Sequence, residues 1–483
     1  MQKVLEFLQT AVATANEFLS DYILVVLLVG VGVFFTIRTR FVQVRCFGQG
    51  MKKVFGNLKL NGGKQKNGMS SFQAFTTAVA AQVGTGNIVG ACSAILVGGP
   101  GAIFWMWVIA FFGMATIYAE AVLAQRTKKV NENGSVSGGP VYYIRTAFKG
   151  GFGKFLAVFF AVAIIVALGF IGPMVQSNAI SSAIAGVGGF DYTVFGWIVG
   201  ILLAIISAII FIGGVKRIAS VTEKIVPIMA VIYMLGGLVI LCVNITALPT
   251  AVWYIFKYAF TPQAILGCEV GVALKKAISM GAKRGLFSNE AGMGSTPHAH
   301  AQANVKNPHE QGTVAMIGVF LDTFVVLTMT ALIVITSLYV KIPEGWKAVK
   351  PENAVQTAIT VLFTNGNVGS IIGTIFVAIC LTFFAFSTII SWNLFGKINF
   401  EYLFGKKSTI VYSILAIVFI FLGSFLKNDL VWALSDLFNN FMVLPNVIAL
   451  VALSGLVVKE LKTNGKKGAV ENPNAPLCER LEK

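Results

Sequence analysis

The sequence predicts an all-α polytopic membrane protein with about eleven transmembrane helices, and three observations support this fold class. Hydrophobic residues make up 56% of the 483 residues and charged residues only 12%, whereas a soluble protein carries roughly twice that charged fraction. Apolar stretches of the length that crosses a bilayer recur along the chain. Basic residues concentrate in alternate connections between these stretches.

The candidate membrane spans were identified as apolar stretches of about 20 residues. In chain order they are 19–37, 71–97, 102–125, 155–187, 190–213, 221–245, 281–305, 311–339, 367–395, 408–426 and 430–458. The seventh is polar and interrupted. It is included because an odd number of spans brings the basic loops to one side of the membrane.

The charge distribution predicts the orientation of the protein in the cell membrane. Loop 38–70 carries eight basic residues and no acid, so the positive-inside rule places it in the cytoplasm. The other basic connections, 126–154, 216–217, 397–407 and the tail from 459, then lie on the same side. The N-terminus is expected outside and the C-terminus inside. The net charge of +17 therefore fits orientation and contact with anionic lipid, and no nucleic-acid partner is expected.

Three segments are expected to lie outside the bilayer. Residues 250–280 are expected to form an extracellular loop with a short amphipathic helix, and 340–366 a second outer loop with some helix. Residues 464–483 are polar, contain two prolines and are expected to form a disordered tail.

Two short segments interrupt apolar spans with glycine and small polar residues. They are residues 81–87 (AQVGTGN) and 289–295 (NEAGMGS). Glycine permits non-helical backbone angles, and the backbone groups freed in this way must be buried in protein or line a cavity. Paired interruptions at matching positions in two halves indicate the midplane binding site of a secondary transporter. The alternative is that the glycines only allow helices to pack closely.

The positions of the interruptions predict two inverted repeats of five helices. Without the first span, the interruptions fall in the first and sixth of ten spans. An odd number of spans per unit makes the two units run in opposite directions. The expected organisation is an extra helix and basic loop (1–70), a first repeat (71–246), a second repeat with extracellular loops (247–460) and a cytoplasmic tail (461–483).

Two longer motifs resemble those of a known family. Residues 98–107 (GGPGAIFWMW) and 285–297 (GLFSNEAGMGSTP) are similar to signatures of the alanine/glycine:cation symporter family, the sodium:alanine symporters of the amino-acid–polyamine–cation superfamily. Thr296 departs from the alanine more common there. The resemblance covers essentially the whole chain. It implies the LeuT-like fold of inverted five-helix repeats and sodium-coupled uptake of alanine or glycine.

The interrupted spans are the expected substrate site. A carboxylate binds N–H groups at a helix N-terminus, and an ammonium binds carbonyl or amide oxygens. On the third core helix, a kink at Pro173 accompanies Phe170, which would close a small pocket or serve as core, and Gln176, which would bind substrate or another helix. The candidate substrate-binding residues are Gln82, Gly84, Thr85, Gly86, Asn87, Phe170, Gln176, Asn289, Gly292, Met293, Gly294 and Ser295.

A sodium site is expected between the first interrupted span and the ninth span. Sodium, a hard cation, takes oxygen ligands. Ala385, Ser387 and Thr388 resemble the sodium-site pattern shared by this fold, with the carbonyls of Ala80 and Val83 completing it. The alternative is that the two hydroxyls bond back to their own helix.

Four acids lie at or near membrane depth. Glu290 and Asp322 are candidates for cation or proton coupling, since an intramembrane acid is a functional hypothesis by default. Glu120 is expected to pair with Arg126 or Lys128 near a cytoplasmic end, and Asp436 to lie near the outer end of the last span, where it could belong to a gate. Each could equally be structural.

No catalytic arrangement, cysteine framework or metal-ligand cluster stands out, so neither an enzyme nor a cofactor is expected. The leading hypothesis is a sodium-coupled symporter of alanine and glycine by alternating access. A proton-coupled amino-acid transporter is the near alternative, and a channel or receptor the distant one. Oligomeric state, stoichiometry and L versus D preference are not predicted.

Overall fold

The computed structural model describes residues 2–56, 68–131, 135–188, 192–261, 270–342, 345–363, 368–426 and 429–464. In this part of the chain, eight helices are long and apolar enough to cross a membrane, and a ninth candidate is a helix pair bent by 47°. The eight are Ala102–Thr127, Gly150–Val187, Val194–Ile212, Gly214–Val243, Pro308–Tyr339, Val368–Phe404, Lys406–Gly423 and Leu430–Ala452. The protein is therefore a multi-pass membrane protein, and the total of eleven spans stays a prediction.

The N-terminal region precedes the first interrupted span. Its helices are α1 (Gln2–Phe18), α2 (Val25–Arg38), α3 (Val42–Arg45) and α4 (Phe47–Phe55). The chain reverses direction after α2, where Arg40 and Phe41 both adopt positive φ angles of 55° and 56°.

The next part contains the first interruption. Its helices are α5 (Ser71–Gln82), α6 (Ala91–Gly98), α7 (Ala102–Thr127), α8 (Pro140–Ala147), α9 (Gly150–Ile164), α10 (Gly172–Gly188), α11 (Tyr192–Ile212) and α12 (Gly214–Val243). Strands β1 (Lys129–Val130) and β2 (Val136–Ser137) form an antiparallel hairpin after α7. Ser70 starts α5 with a reciprocal cap, its hydroxyl accepting the Gln73 N–H at 3.1 Å, which satisfies two otherwise unpaired donors.

The remaining part contains the second interruption. Its helices are α13 (Leu248–Phe260), α14 (Val270–Asn289), α15 (Pro297–Gln302), α16 (Pro308–Val319), α17 (Thr328–Val334), α18 (Ala354–Phe363), α19 (Val368–Phe404), α20 (Thr409–Gly423), α21 (Asp429–Ala452) and α22 (Ser454–Asn464). Helical turns from Phe320 to Leu327 join α16 to α17. Ile165–Ile171 likewise join α9 to α10.

The two interrupted spans lie side by side in the core. Backbone hydrogen bonds join the chain just before the start of α5 to the end of α15. The Met69 N–H donates to Gln302 O and the Asn304 N–H donates to Met69 O, both at 2.8 Å. Helix α5 also contacts α12, where the hydroxyls of Thr77 and Thr222 lie 3.0 Å apart. The interruptions therefore lie inside a packed bundle, as unsatisfied backbone in a membrane requires.

Several helices extend beyond the bounds of the expected spans. Helix α14 has begun by residue 270, so Lys275 and Lys276 are helical, and α13 lies within the segment where a short loop helix was expected. Helix α12 begins at 214, before the expected 221, and α19 continues to 404, beyond 395. These helices continue past the apolar core because basic and polar residues are compatible with helix at the membrane surface. Basic residues 59, 64 and 66 lie outside the described residues, as do residues 465–483 of the tail expected to be disordered from 464; Asn464 itself ends helix α22.

Candidate functional site

The first interruption separates α5 from the helix that resumes at Gly86. Val83 is extended, with φ −81° and ψ 90°, and Asn87 Oδ1 accepts the Gly84 N–H at 2.9 Å. This side-chain bond satisfies a donor that the missing helical turn leaves free. The Gly84 N–H, expected to face the substrate, therefore already has a partner in the protein.

The second interruption lies between α14 and α15 and depends on left-handed backbone. Glu290, Gly292 and Gly294 have φ angles of 56°, 87° and 81°. Glycine adopts such angles without steric cost, whereas a glutamate there is strained. A Cβ on Gly294 would also lie 2.8 Å from the Phe160 ring. The glycines thus serve both the backbone shape and its close packing.

The two interruptions are in direct contact. Gln82 Nε2 donates to the Asn289 carbonyl at 2.8 Å. A Cβ built on Gly86 would lie only 3.0 Å from Ser288 Cα and 3.2 Å from the Phe287 ring. The space between the interruptions is therefore narrow.

Within the part of the chain that the structure describes, four buried polar atoms around this contact have no hydrogen-bond partner. They are Gln82 Oε1, Thr85 Oγ1, Gln176 Nε2 and Asn289 Nδ2, on residues that are at most 2% exposed. Gln176 reaches the first interruption from α10, where its Oε1 accepts the Thr85 N–H at 3.3 Å. Buried polar groups are almost always paired, so this cluster is suited to a polar ligand.

Phe170 is not part of this cluster. Its ring stacks on Phe419 with centroids 5.0 Å apart and packs on Tyr412 at 5.6 Å, both in α20. Helical periodicity turns this position toward α20, whereas Gln176 points to the interruption. These contacts favour the alternative that Phe170 serves as core, and its closing of the pocket stays a prediction.

The other candidates at the second interruption have partners in the protein or face elsewhere. The N–H groups of Gly292 and Gly294 donate to Glu120, and the Ser295 hydroxyl donates to Glu290 Oε2 at 2.5 Å. Met293 lines a small cavity beside Leu28 of α2. At this interruption, the side-chain nitrogen of Asn289 has no hydrogen-bond partner among the described residues.

Three of the five candidate sodium residues, Ala80, Val83 and Thr388, meet at the hydroxyl of Thr388 in α19. This hydroxyl lies 2.9 Å from Ala80 O and 3.5 Å from Val83 O, and it also bonds Phe384 O in its own helix at 3.0 Å. Gly84 allows the approach, since a Cβ there would lie 2.5 Å from Thr388 Oγ1. Three oxygens from two spans thus meet at the first interruption.

Ser387 and Ala385 are less directly involved. The Ser387 hydroxyl donates to Phe384 O at 2.9 Å and lies 3.5 Å from Met229 Sδ. Ala385 is fully buried one turn before Thr388. The bonds from Ser387 and Thr388 to Phe384 O fit the alternative that these hydroxyls bond back to their own helix. The bond from Thr388 to Ala80 O is an additional contact with another span.

Asp322 is hydrogen-bonded to both interrupted spans. Its carboxylate accepts from Asn87 Nδ2 at 2.6 Å, from the Ser288 hydroxyl at 3.0 and 3.1 Å and from the Thr323 hydroxyl at 2.9 Å. All three donors are neutral, and Asp322 is fully buried. A buried carboxylate held by neutral donors is suited to a cation or a proton.

Glu290 is held at the second interruption by two neutral donors. Its Oε1 accepts from Trp392 Nε1 at 2.6 Å, and its Oε2 accepts from Ser295. Through Trp392 it connects the second interruption to α19, four residues beyond Thr388.

Glu120 does not pair with Arg126 or Lys128, so that expectation was wrong. Arg126 instead pairs with Glu460 at 2.9 Å. The Lys128 ammonium donates to Ala303 O at 2.8 Å, and burial lowers its pKa to about 8, which leaves it charged at neutral pH. The Glu120 carboxylate instead accepts from the backbone N–H groups of Gly292 and Gly294 at the second interruption.

Asp436 links α21 to α14. It lies 3.2 Å from Lys283 Nζ and 3.6 Å from Arg284. These two basic residues, expected in the approach to the second interruption, thus share one carboxylate. The arrangement is compatible with a gate on the outer side, and the gate stays a prediction.

Comparison with known proteins identifies the family. The model of the sodium:alanine symporter family matches residues 5–474. The chain belongs to this family. It is 42% identical over 465 residues to the sodium/alanine symporter AgcS of Methanococcus maripaludis, covering 96% of this chain and 99% of that protein. It is 38% identical over 462 residues to the amino-acid carrier protein AlsT of Bacillus subtilis, covering 95% and 93%. The resemblance read from the two motifs is confirmed.

A solved structure supports the fold. MhsT, crystallised in complex with L-phenylalanine, aligns with 82% of this chain and 99% of its own at a TM-score of 0.56 and 14% identity. The protein therefore has a LeuT-like fold. The family match, and not this structure, makes it a member of a family of cation-coupled amino-acid transporters. The extra N-terminal helix and the exact number of spans stay predictions.

Proposed function

We propose that this protein is a sodium-coupled symporter of small neutral amino acids, with alanine and glycine as substrates, working by alternating access. One observation carries the proposal: unpaired buried polar atoms and a cluster of oxygens meet at the same interruption. The first set suits a zwitterion, and the second suits sodium.

The amino acid would bind between the two interruptions. Its carboxylate would accept from the unpaired donors Thr85 Oγ1 and Gln176 Nε2, and from the Thr85 N–H, whose bond to Gln176 is long at 3.3 Å. Its ammonium would donate to the unpaired acceptor Gln82 Oε1. Gly86 keeps the backbone open to the ligand, and Asn289 Nδ2 adds a polar contact.

Sodium would bind at the Thr388 hydroxyl. Ala80 O and Val83 O face this hydroxyl, and Ser387 and the Ala385 carbonyl are the further ligands proposed from the family pattern. Hydroxyl and carbonyl oxygens are the ligands a hard cation takes. Sodium is transported substrate here and not a resident cofactor.

Coupling would follow from the shared interruption. The segment that offers Ala80 O and Val83 O to the ion continues directly into Thr85 and Gly86, which face the amino acid. An ion that stabilises this backbone shape favours the state that binds the amino acid, because a ligand shifts an equilibrium by its differential affinity for the two states.

Proton coupling is the second candidate, and Asp322 is the observation that favours it. Its carboxylate is fully buried, touches both interrupted spans through Asn87 and Ser288, and accepts from neutral groups. A proton or a second cation on Asp322 would compensate its charge. Glu290 is the other acid suited to this role.

Flux into proteoliposomes tests the proposal. We expect labelled alanine to accumulate when sodium is higher outside and pH is equal on both sides, and uptake to saturate with alanine. Accumulation driven by a pH difference without sodium would instead establish proton coupling. Non-saturating equilibration under every gradient would indicate a channel and overturn both proposals.

A further inference from the structure

Among the described residues, one fully buried acid is not explained by the transport site. Glu120 lies in α7 with no exposed surface, and it belongs neither to the amino-acid cluster nor to the oxygens around Thr388. Burying a carboxylate is costly unless hydrogen bonds satisfy it. Its partners therefore indicate what it does.

Glu120 binds the backbone of the second interruption. Oε2 accepts the Gly292 N–H at 3.1 Å and Oε1 accepts the Gly294 N–H at 3.0 Å. Both glycines are left-handed, and successive N–H groups in such turns form a concave anion-binding site, or nest. A carboxylate of the protein itself occupies this nest.

The same carboxylate is joined to α21. Asn446 Nδ2 donates to Glu120 Oε1 at 2.6 Å and to Gly292 O at 2.9 Å. The Tyr143 hydroxyl of α8 in turn donates to Asn446 Oδ1. Asn446 thus binds both Glu120 and the glycine that Glu120 binds, which closes a ring of hydrogen bonds around the interruption.

Helix α7 also holds the far end of the same segment. Gln125 Nε2 and Lys128 Nζ donate to the Ala303 carbonyl at 2.9 and 2.8 Å, just beyond α15. An acid of α7 therefore binds free N–H groups before α15, and an amide and an ammonium bind free carbonyls after it.

We propose that Glu120 is a positioning residue for amino-acid binding, because it fixes the backbone of the second interruption and so places Asn289 and Glu290. The inference rests on the proposed function. Glycines have no side chains to hold them, and their conformational freedom must be removed by an external partner. Hydrogen bonds to a charged acceptor are among the strongest available for this purpose.

Hydrogen–deuterium exchange tests the positioning directly, without sodium or alanine. Glu120→Gln keeps the volume but replaces one acceptor oxygen with a donor that opposes the N–H groups. We expect peptides covering 288–296 to exchange about tenfold faster or more, since local opening governs exchange, while peptides covering 81–87 are unchanged. Asn446→Ala removes only part of the ring and should show the same change with a smaller amplitude.

Glu223→Gln is the matched control. Glu223 is also a buried acid, 4% exposed, and it accepts from Gln73 Nε2 of α5 at 3.0 Å, away from the second interruption. Its replacement should leave exchange at 288–296 unaltered. Unchanged exchange at 288–296 in both Glu120→Gln and Asn446→Ala, or equal loosening by Glu223→Gln, would overturn the proposal.

Binding measurements separate positioning from simple stabilisation. In folded Glu120→Gln, or in Asn446→Ala if the former does not fold, we expect alanine affinity at saturating sodium to fall about tenfold and sodium affinity without alanine to be retained. If a variant yields less folded protein, but the folded fraction binds alanine with unaltered affinity, Glu120 has a structural role only. Exchange is measured without substrate, so a failed transport assay leaves that result interpretable.

Discussion

The hydroxyl of Thr388 lies 2.9 Å from the carbonyl oxygen of Ala80, although 308 residues separate them in the chain. The contact joins α19 to the last turn of α5 before its interruption. It places a hydroxyl at the point where helical carbonyls lose their usual partners. An ion bound there would act on both spans at once.

Thr388→Val should weaken sodium binding first. Valine keeps the shape but removes the hydroxyl oxygen. If sodium and alanine are coupled by the typical 1–3 kcal/mol, roughly 5- to 150-fold, the variant should need much more sodium for half-maximal alanine binding. Affinity at saturating sodium should fall less. Calorimetric titration of alanine at several sodium concentrations measures both.

Thr382→Val is the matched control for that variant. Thr382 lies on the same helix, and its hydroxyl donates to Ala378 O of its own helix at 2.7 Å. Its sodium dependence should match that of the unmodified protein. If Thr388→Val behaved like this control while Asp322→Asn or Glu290→Gln removed sodium dependence, the cation would be assigned to the acids.

Gly86→Val should abolish alanine binding, and Gly86→Ala should weaken it severely. Even a Cβ at this position would lie 3.0 Å from Ser288 Cα, so the facing backbone would have to shift by a few tenths of an ångström, and the larger valine side chain would need more room. Gly90→Ala is the control, because its Cβ would meet nothing closer than Thr85 O at 3.9 Å. Normal alanine transport by Gly86→Val would show that the cradle lies elsewhere.

Alanine and glycine should bind, and leucine and phenylalanine should be excluded. The contacts of Gly86 with Ser288 and Phe287 leave little room between the interruptions, and overpacking a tight site costs about 1–3 kcal/mol. Competition against labelled alanine measures the selectivity. Displacement by leucine at concentrations similar to alanine would contradict this account of the pocket.

The orientation of the protein can be measured with single cysteines in a background without native cysteines. A cysteine at position 60 should resist a membrane-impermeant thiol reagent in sealed cells, because loop 38–70 is expected inside. A cysteine at exposed Glu352 should react. The opposite pattern would invert the predicted topology.

Only part of the candidate site at the two interruptions could be predicted from the sequence. The glycine-rich segments identified both interruptions, because few residues other than glycine adopt the angles of Gly292 and Gly294 at low cost. Gln176 was chosen as a candidate because an amide in an apolar span needs a partner, and its side chain contacts the first interruption. No feature of the sequence distinguished Phe170 from the other phenylalanines, and its ring packs on Phe419 and Tyr412.

The partners of buried charged residues were the hardest contacts to predict from the sequence. Proximity in sequence suggested Arg126 and Lys128 as partners of Glu120, yet its partners are Gly292, Gly294 and Asn446. The fold decides which distant backbone group faces a given helical side chain. A signal was available, since an acid in a helix interior opposite a glycine-rich interruption has N–H groups to bind.

The sequence by itself determined the membrane class, the family and the two places where helices are interrupted. Each follows from local properties: apolar length, extended motifs and the backbone freedom of glycine. Only the tertiary structure decided which partners the freed backbone groups bind. The Ala80 carbonyl accepts from the Thr388 hydroxyl, and the Gly294 N–H donates to the Glu120 carboxylate. Hydrogen bonds act over about 3 Å in space, and that distance is set by how the helices pack and not by their order in the chain.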